Sequence, residues 1–187
     1  MAKYWKSLFA LGGITLVLSA CQSVDTMRLK AVKESAKTQS NALVYCAGTH
    51  DCEFERLDKT IIIDAKSGRL NKQARQANIV RLNAKSLSQP NALYLSVAPG
   101  QHELVLRFYP ISRDKAEVLH LFHRFQANQA YTLKMYRQRN TKANSLLKTS
   151  APEPLCVDLM QNKKTIRRFC KPYNVQTGIA EFVERKI

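Results

Sequence analysis

Glu117, His120 and His123 share a Glu-x-x-His-x-x-His spacing that could support metal binding or acid–base chemistry. On a helix, residues three apart lie on one side, whereas on a strand His120 and His123 would point to opposite faces. The apolar residues between 117 and 125 fit either period, and the surrounding pattern favours a strand. We therefore predict no metal site and no catalytic role here. The chain also lacks the HExxH, GxSxG, GxxxxGK[ST] and GxGxxG motifs of common catalytic and nucleotide sites.

Basic residues are the strongest functional signal in the sequence. Lysine and arginine total 30 against 14 acids, which gives a formal net charge of +16. A field of this sign attracts polyanions even without specific contacts. The basic residues form a loose group, Lys134, Arg137, Arg139, Lys142 and Lys148, and a denser one within nine positions, Lys163, Lys164, Arg167, Arg168 and Lys171.

The denser group is the predicted surface for binding an anion or a partner protein. It lies on a segment that predicts a hairpin folded about Asn162 and Lys163 or one residue later. Arg167 and Arg168 are adjacent, so on a strand they would point to opposite faces and not all five side chains can converge. The alternative is that the basic residues only solvate the surface of the domain.

The N-terminus has the parts of an export signal. A positive start, Met1 to Lys6, is followed by an apolar run from Ser7 to Leu18 that is too short for a transmembrane helix of about 20 residues. The sequence Leu18-Ser19-Ala20-Cys21 then resembles a bacterial lipobox. This resemblance implies cleavage before Cys21 and attachment of acyl chains such as palmitate. The alternatives are an ordinary signal peptide with a chance cysteine, or a retained anchor.

The residues after Cys21 bear on where the protein would be anchored. Gln22 occupies the position at which an aspartate retains enterobacterial lipoproteins in the inner membrane, so the resemblance implies the outer membrane. The polar stretch that follows predicts a tether, although the spacing of Met27, Leu29 and Val32 also fits one short amphipathic helix. As a flexible chain, about 20 residues reach roughly 25 Å.

Four further cysteines, Cys46, Cys52, Cys156 and Cys170, predict two disulfides in an exported protein. Of the three connectivities, spacing favours Cys46–Cys52 and Cys156–Cys170. The second pair would staple the predicted hairpin. His50 lies between the first two cysteines, which leaves a metal site as an alternative. It is the weaker alternative because no CxxC pair is present.

The chain from Leu43 onward has the pattern of a β protein. Strands are predicted at 43–46, 53–57, 60–64, 93–97, 102–109 and 131–136, with turns rich in Gly, Pro and Asn between them. Leu70 to Asn78 is the one plausible helix, and 79–82 fits a strand or the end of that helix. Residues 117–125 stay open between helix and strand.

Two stretches resemble a known family. Leu95-Ser96-Val97-Ala98-Pro99-Gly100-Gln101-His102-Glu103-Leu104 and Phe125-Gln126-Ala127-Asn128-Gln129-Ala130-Tyr131-Thr132-Leu133 are similar to the repeated turn-and-strand pattern of small PEGA-type β-sandwich domains and related bacterial lipoproteins. Gln129 stands where such patterns often have glycine. The resemblance implies a β-sandwich and carries no active site with it.

The predicted fold is mainly β: a small antiparallel β-sandwich with one short helix and a disulfide-stapled C-terminal hairpin. A hydrophobic fraction of 45% is that of a folded domain rather than a disordered chain. The predicted organisation is a lipoprotein signal peptide (1–20), a tether (21–42), the sandwich domain (43–140), a linker (141–154), and the stapled hairpin with its tail (155–187).

The predicted function is that of an outer-membrane lipoprotein on the periplasmic face, a non-enzymatic accessory of the cell envelope. Its partner would be an envelope polyanion (lipopolysaccharide, phospholipid or peptidoglycan) or an envelope protein; nucleic acid and cofactors are not expected. One alternative is a structural subunit of a secretion or pilus assembly. Another is a small periplasmic enzyme acting on peptidoglycan or lipid through His120 or His102 and an acidic group.

Overall fold

The structure, a computed structural model, describes residues 24–138, 153–172 and 180–187. The predicted signal peptide, Cys21 and most of the predicted linker lie outside the described residues. Residues 24–30 form helix α1. The other elements are strands β1 (Ala42–Ala47), β2 (Asp51–Leu57) and β3 (Thr60–Ile61), helix α2 (Lys72–Gln76), and strands β4 (Val80–Leu82), β5 (Leu93–Val97), β6 (Gly100–Tyr109), β7 (Glu117–Phe125), β8 (Ala130–Arg137), β9 (Leu155–Gln161), β10 (Lys164–Lys171) and β11 (Val183–Arg185).

The strands form two sheets, and the predicted mainly β fold is confirmed. Sheet A has seven strands in the order β11-β10-β9-β8-β1-β5-β4, and sheet B has four in the order β3-β2-β6-β7. Neighbouring strands are antiparallel except β1 and β8, which run parallel, with Val44 opposite Tyr131. The parallel pair brings residues 87 positions apart in the chain together at the centre of sheet A.

The core lies between the two sheets because each strand alternates inward and outward side chains. In β1 every second residue is buried, and in β7 the buried residues are Leu119, Leu121 and Phe125. The buried residues of both sheets form one cluster. At one end of it Phe125 packs edge to face on Tyr131, with ring centroids 5.0 Å apart. The Tyr131 hydroxyl accepts a hydrogen bond from the backbone N–H of Gln126.

Several local predictions are settled by these elements. Residues 117–125 are a strand, as the surrounding pattern favoured. Helix α2 lies within the predicted helical stretch, capped by the Asn71 side chain, which accepts from the backbone N–H of Gln73. The predicted strand 60–64 is shorter than expected. Only Thr60–Ile61 is a regular strand, and Ile62 and Ile63 continue into the core beside β2.

The chain passes from sheet A to sheet B at the corner between β1 and β2. The disulfide Cys46–Cys52 closes this corner, as predicted, and both cysteines are buried. Gly48 lies between them with φ of 84°, a left-handed conformation that side chains disfavour. A Cβ at Gly48 would lie 2.1 Å from the backbone oxygen of Met135, so β8 passes too close for any side chain.

The segment before β1 is packed against the domain. Leu29 of α1 is 3% exposed and belongs to the core cluster. Asp25 forms an ion pair with Arg75 of α2, and Glu34 forms one with Arg81 of β4. Of the two predictions for this stretch, a tether or a short amphipathic helix, residues 24–30 form the helix. This helix is docked on the domain rather than extended.

Gly48→Ala is expected to lower the free energy of unfolding by more than about 3 kcal/mol, because it combines left-handed strain with displacement of the Met135 carbonyl. Gly68→Ala is the matched control: Gly68 also has positive φ, but nothing lies within 4 Å of its added Cβ. Its cost should be about 1 kcal/mol. Denaturant unfolding of both variants measures the difference, and equal costs would contradict the close approach at the corner.

Candidate binding surface on the stapled hairpin

The C-terminal hairpin forms as the sequence predicts. Strands β9 and β10 are joined by Asn162 and Lys163, both with positive φ, as a two-residue hairpin turn requires. Cys156 lies directly opposite Cys170, and the predicted disulfide joins them. The bridge closes about 15 residues and stabilises the hairpin by about 3 kcal/mol in the chain-entropy model.

The disulfide lies at the base of the hairpin, far from its tip. The tip is held instead by the start of β8: the Asn162 side chain accepts from the backbone N–H of Ala130, and the backbone N–H of Asn162 donates to the Ala130 carbonyl. Gln161 adds side-chain hydrogen bonds to Gln126 and Gln129. The tip is therefore fixed to the sandwich, and the pairing of β9 with β8 attaches the rest of the hairpin.

A bulge in β10 decides where the basic side chains point. The register shifts between Thr165 and Arg167, which places Arg167 opposite Leu159 and Arg168 opposite Asp158. Leu159 faces the core, so Arg167 lies on the inner face of sheet A and Arg168 on the outer face. The predicted divergence of the two adjacent arginines is confirmed.

Arg168 is held by Asp158 on the outer face of sheet A. Its guanidinium donates to both carboxylate oxygens, at 2.7 and 2.8 Å, and lies over the Tyr136 ring. Tyr136 and Thr165 donate their hydroxyls to the same carboxylate. Burial works to raise the pKa of Asp158, but these hydrogen bonds and the Arg168 charge outweigh burial and hold it below its usual value.

Arg167 joins three strands across the open side of the sandwich. Its guanidinium donates to both carboxylate oxygens of Glu184 in β11, each at 2.7 Å, and to the backbone oxygen of Phe122 in β7 at 2.6 Å. It also lies 4.8 Å from the centre of the Phe169 ring. Because β7 is the edge strand of sheet B, this contact ties the two sheets together.

Lys171 makes a second contact between the sheets. Its amine donates to the Glu117 carboxylate at 2.6 Å, at the start of β7. Arg167, Arg168 and Lys171 are thus engaged in holding the sandwich. Lys163 and Lys164, at the tip, are exposed. The structure does not bring the five predicted residues together as one patch.

Sequence reasoning missed the pairing of Asp158, Glu184 and Glu117 with the basic residues of the hairpin. Asp158 is 7% exposed and lies in a strand whose neighbours are apolar. An acid in such a strand, nine and ten residues before two arginines on its hairpin partner, is the signal that could have identified the first pair. The other two carboxylates are distant in sequence from their partners and gave no local signal.

Arginines and lysines differ in their roles throughout the described ranges. Buried or partly buried carboxylates are paired mostly with arginines: Arg56 with Glu103, Arg107 with Glu53 and Glu55, and Arg113 with Asp51. Among residues 24–138, 153–172 and 180–187, Lys171 is the single lysine in an ion pair within 4 Å. The planar guanidinium suits bidentate pairing, so the surplus positive charge falls on the exposed lysines.

The loose basic group is only partly described. Lys134 is exposed on the outer face of sheet A, and Arg137 donates to the backbone oxygen of Glu153. Arg139, Lys142 and Lys148 lie outside the described residues. The two described members do not form a cluster with the hairpin tip, because Arg137 lies at the opposite end of β8 from Ala130.

The histidines do not converge on a common site. His123 faces inward against Phe125 and Tyr131, where burial lowers the pKa of its ring, whereas His120 is exposed on the outer face of β7. Glu117 lies six strand positions from His123, about 20 Å away. The strand geometry thus separates the Glu-x-x-His-x-x-His residues.

His102, the other histidine of the enzyme hypothesis, lies in β6 and contacts the β2–β3 and β5–β6 turns. Its Nδ1 lies 2.7 Å from the Asp58 carboxylate and its Nε2 lies 2.9 Å from the Ala98 backbone oxygen. His120 lies 3.6 Å from Glu103, a carboxylate that Arg56 already binds through both oxygens. His102 and His120 occupy opposite faces of sheet B, so they cannot act on one substrate atom.

Cys46 and Cys52 are joined to each other, so their thiolates are not available to a metal near His50. In the described part of the chain, no three His, Cys, Asp or Glu side chains group as metal ligands would. Nor does that part contain a helix with the length and apolar character needed to cross a bilayer.

Comparisons with family models, curated proteins and solved structures find no match to the chain.

Asp158→Asn is expected to lower the free energy of unfolding by about 2 kcal/mol at neutral pH, because charge-assisted hydrogen bonds to Arg168 are lost. A lowered folded-state pKa contributes stability above the unfolded value near 3.9, and that stability is lost as pH falls through the folded value. The difference in the free energy of unfolding between the variant and the unchanged protein should therefore disappear in strong acid. Urea unfolding at a series of pH values measures this difference.

Asp114→Asn is the control for this experiment, because Asp114 is exposed and, within the described ranges, its carboxylate accepts only a long hydrogen bond from Ser112. Its effect should stay within about 0.5 kcal/mol at every pH. A pH-independent loss in Asp158→Asn would contradict the assigned ion pair.

Proposed function

We propose that this chain is a lipid-anchored protein of the bacterial envelope that binds an anionic envelope component without catalysing a reaction. The observation that carries the proposal is the division of charge on the hairpin. Among the described residues, Arg167, Arg168 and Lys171 pair with carboxylates, whereas Lys163 and Lys164 at the exposed tip form no ion pair. Exposed lysines on a fixed tip suit electrostatic binding of a polyanion.

The fixed tip favours binding because little conformational freedom is left to lose there. Asn162 and Gln161 are tied to the β7–β8 connection, so the backbone that carries Lys163 and Lys164 is held in place. Preorganisation of this kind lowers the entropic cost of association. Lysine side chains at such a tip contact phosphates or carboxylates as point charges, which predicts broad anion preference and strong sensitivity to salt.

The anchor in this proposal is Cys21, on the strength of Leu18-Ser19-Ala20-Cys21. Acylation at the thiol and the new amine gives several chains, and multiple chains hold a protein stably at a membrane where one would not. Gln22 supports the outer membrane, with the domain on the periplasmic face. Two disulfides support an oxidising compartment.

A second candidate is a structural subunit of a secretion or pilus assembly. It is favoured by exposed apolar side chains beside the hairpin: Val118 is 43% exposed and Phe122 is 57% exposed on the outer face of β7. Arg167 contacts the backbone of Phe122, which places this apolar pair next to β10. Under this alternative, Phe122→Glu would release a protein partner whose binding resists high salt.

Replacing Cys21 with Ser removes the thiol to which the lipid would be attached. The processed chain should then leave the membrane fraction, and intact mass should show no acyl chains. Gln22→Ser is the control and should keep both lipid and membrane attachment. Membrane fractionation and mass spectrometry measure where the protein is and whether it carries acyl chains. If the processed variant has no acyl chains but stays in the membrane fraction, the proposed anchor is refuted.

Lys163→Gln with Lys164→Gln should weaken binding to purified peptidoglycan sacculi or lipopolysaccharide micelles about five-fold. The estimate is about 1 kcal/mol for two exposed charge contacts. Lys85→Gln with Lys115→Gln removes the same charge from exposed lysines elsewhere and should change affinity much less. Cosedimentation over a range of salt concentrations measures both, and equal losses would mean that net charge rather than the hairpin tip determines binding.

A further inference from the structure

Helix α1 has two faces that differ in what covers them. Asp25, Thr26 and Leu29 lie on one side and are buried or partly buried against the domain. Residues 24, 27, 28 and 31 follow at helical spacing on the opposite side, and all are exposed. The outward stripe is therefore made of Val24, Met27 and Ala31, with Arg28 at its side.

The buried side fixes the helix in place through several kinds of contact. Leu29 enters the core, Asp25 pairs with Arg75, and the Thr26 hydroxyl accepts from the backbone N–H of Leu87. Further along, Glu34 pairs with Arg81, a side chain only 4% exposed. The helix therefore cannot turn its apolar stripe inward without breaking core and ionic contacts.

The outward stripe is apolar at its centre and basic at its margins. Met27 is 65% exposed, the largest exposure of an apolar side chain in the helix, and Val24 is 38% exposed. Arg28 and Lys30 flank them, and Lys33 follows in the next turn of chain, all exposed. Apolar side chains bordered by cations are typical of helices that lie in the interface of an anionic bilayer.

The position of the helix in the chain identifies what this stripe contacts. Only Gln22 and Ser23 separate Val24 from Cys21, and two residues span at most about 10 Å between their neighbours. We propose that the outward face of α1 lies against the anionic phospholipid surface of the membrane in which Cys21 is anchored. This inference rests on the lipid anchor of the proposed function.

This arrangement gives the domain a defined polarity. Thr26 contacts the 83–91 connection, which lies at the Cys46–Cys52 end of the sandwich, whereas the Ser40 carbonyl accepts from Asn128 at the other end. The hairpin tip at Asn162 belongs to that second end. Strand β8 spans about 24 Å between the two ends. The tip therefore lies at the end remote from the anchor.

The test places a single tryptophan reporter in the lipidated chain. The one tryptophan of the sequence, Trp5, precedes Cys21 and is lost on processing at the lipobox. Met27→Trp is reconstituted into vesicles with brominated acyl chains, with and without phosphatidylglycerol. The expected result is blue-shifted emission that is quenched by bromine, more strongly with phosphatidylglycerol and less at high salt. Phe122→Trp is the control for an exposed apolar position on the far sheet and should stay unquenched.

A pair of charge variants tests the basic margin. Lys30→Gln with Lys33→Gln, made in the Met27→Trp chain, should remove the dependence on phosphatidylglycerol. Lys59→Gln with Lys134→Gln removes the same charge from exposed positions elsewhere and should preserve it. If quenching in the Lys30→Gln, Lys33→Gln chain still depends on phosphatidylglycerol as before, the electrostatic part of the inference is overturned.

The outcomes separate this inference from the proposed anchor. Protein that fails to float with vesicles and carries no acyl mass refutes the anchor and the inference together. Protein that floats through its lipid, but shows equal and unquenched emission at positions 27 and 122, overturns the inference and leaves the anchor intact.

Discussion

The structure depends on where a small number of carboxylates are placed among many cations. The chain has 14 acids for 30 basic residues, so most cations have no acid of their own. The surface is neutralised where an acid pairs with an arginine and stays positive elsewhere. Three acids hold the cations of the hairpin: the buried Asp158 pairs with Arg168 and the exposed Glu184 with Arg167, both within sheet A, and Glu117 pairs with Lys171 across the two sheets. The lysines that remain outward then give the domain its field.

The same constraint explains why the basic hairpin is both a structural element and a candidate binding surface. Its inner cations close the open side of the sandwich, since Arg167 reaches the backbone of β7 and Lys171 reaches the first residue of that strand. Its outermost cations, Lys163 and Lys164, are free of that task. A side chain that serves the fold cannot also contact a ligand without a cost in stability, so the proposed binding is assigned to the tip.

Features that depend on local pattern could be predicted from the sequence. The strand period of β5, β6 and β8, the Asn162 turn and both disulfides follow from alternation, turn chemistry and cysteine spacing, whereas the sequence left β7 open between helix and strand. Features that depend on long-range register could not. The parallel pairing of β1 with β8 brings Val44 beside Tyr131, and nothing near either residue indicates the other. The bulge at Thr165/Arg167, which sends Arg167 inward, is equally invisible because it depends on how β10 meets β9 and β7. For the same reason, residues 24–30 were expected mainly as tether: Leu29 has its partners only once both sheets are in place.

The domain has two different ends: the apolar and basic helix α1 lies at the end next to the proposed lipid anchor, and the lysine-bearing tip lies at the other end. The central claim is that the domain rests on its own membrane and presents the hairpin tip outward. Neutron reflectometry of the lipidated chain on a supported bilayer containing phosphatidylglycerol tests this claim most directly. If the domain lies on its membrane in this way, protein density should begin at the headgroups with no water layer between. A hydrated gap comparable to the reach of a free 20-residue tether, about 25 Å, would contradict it.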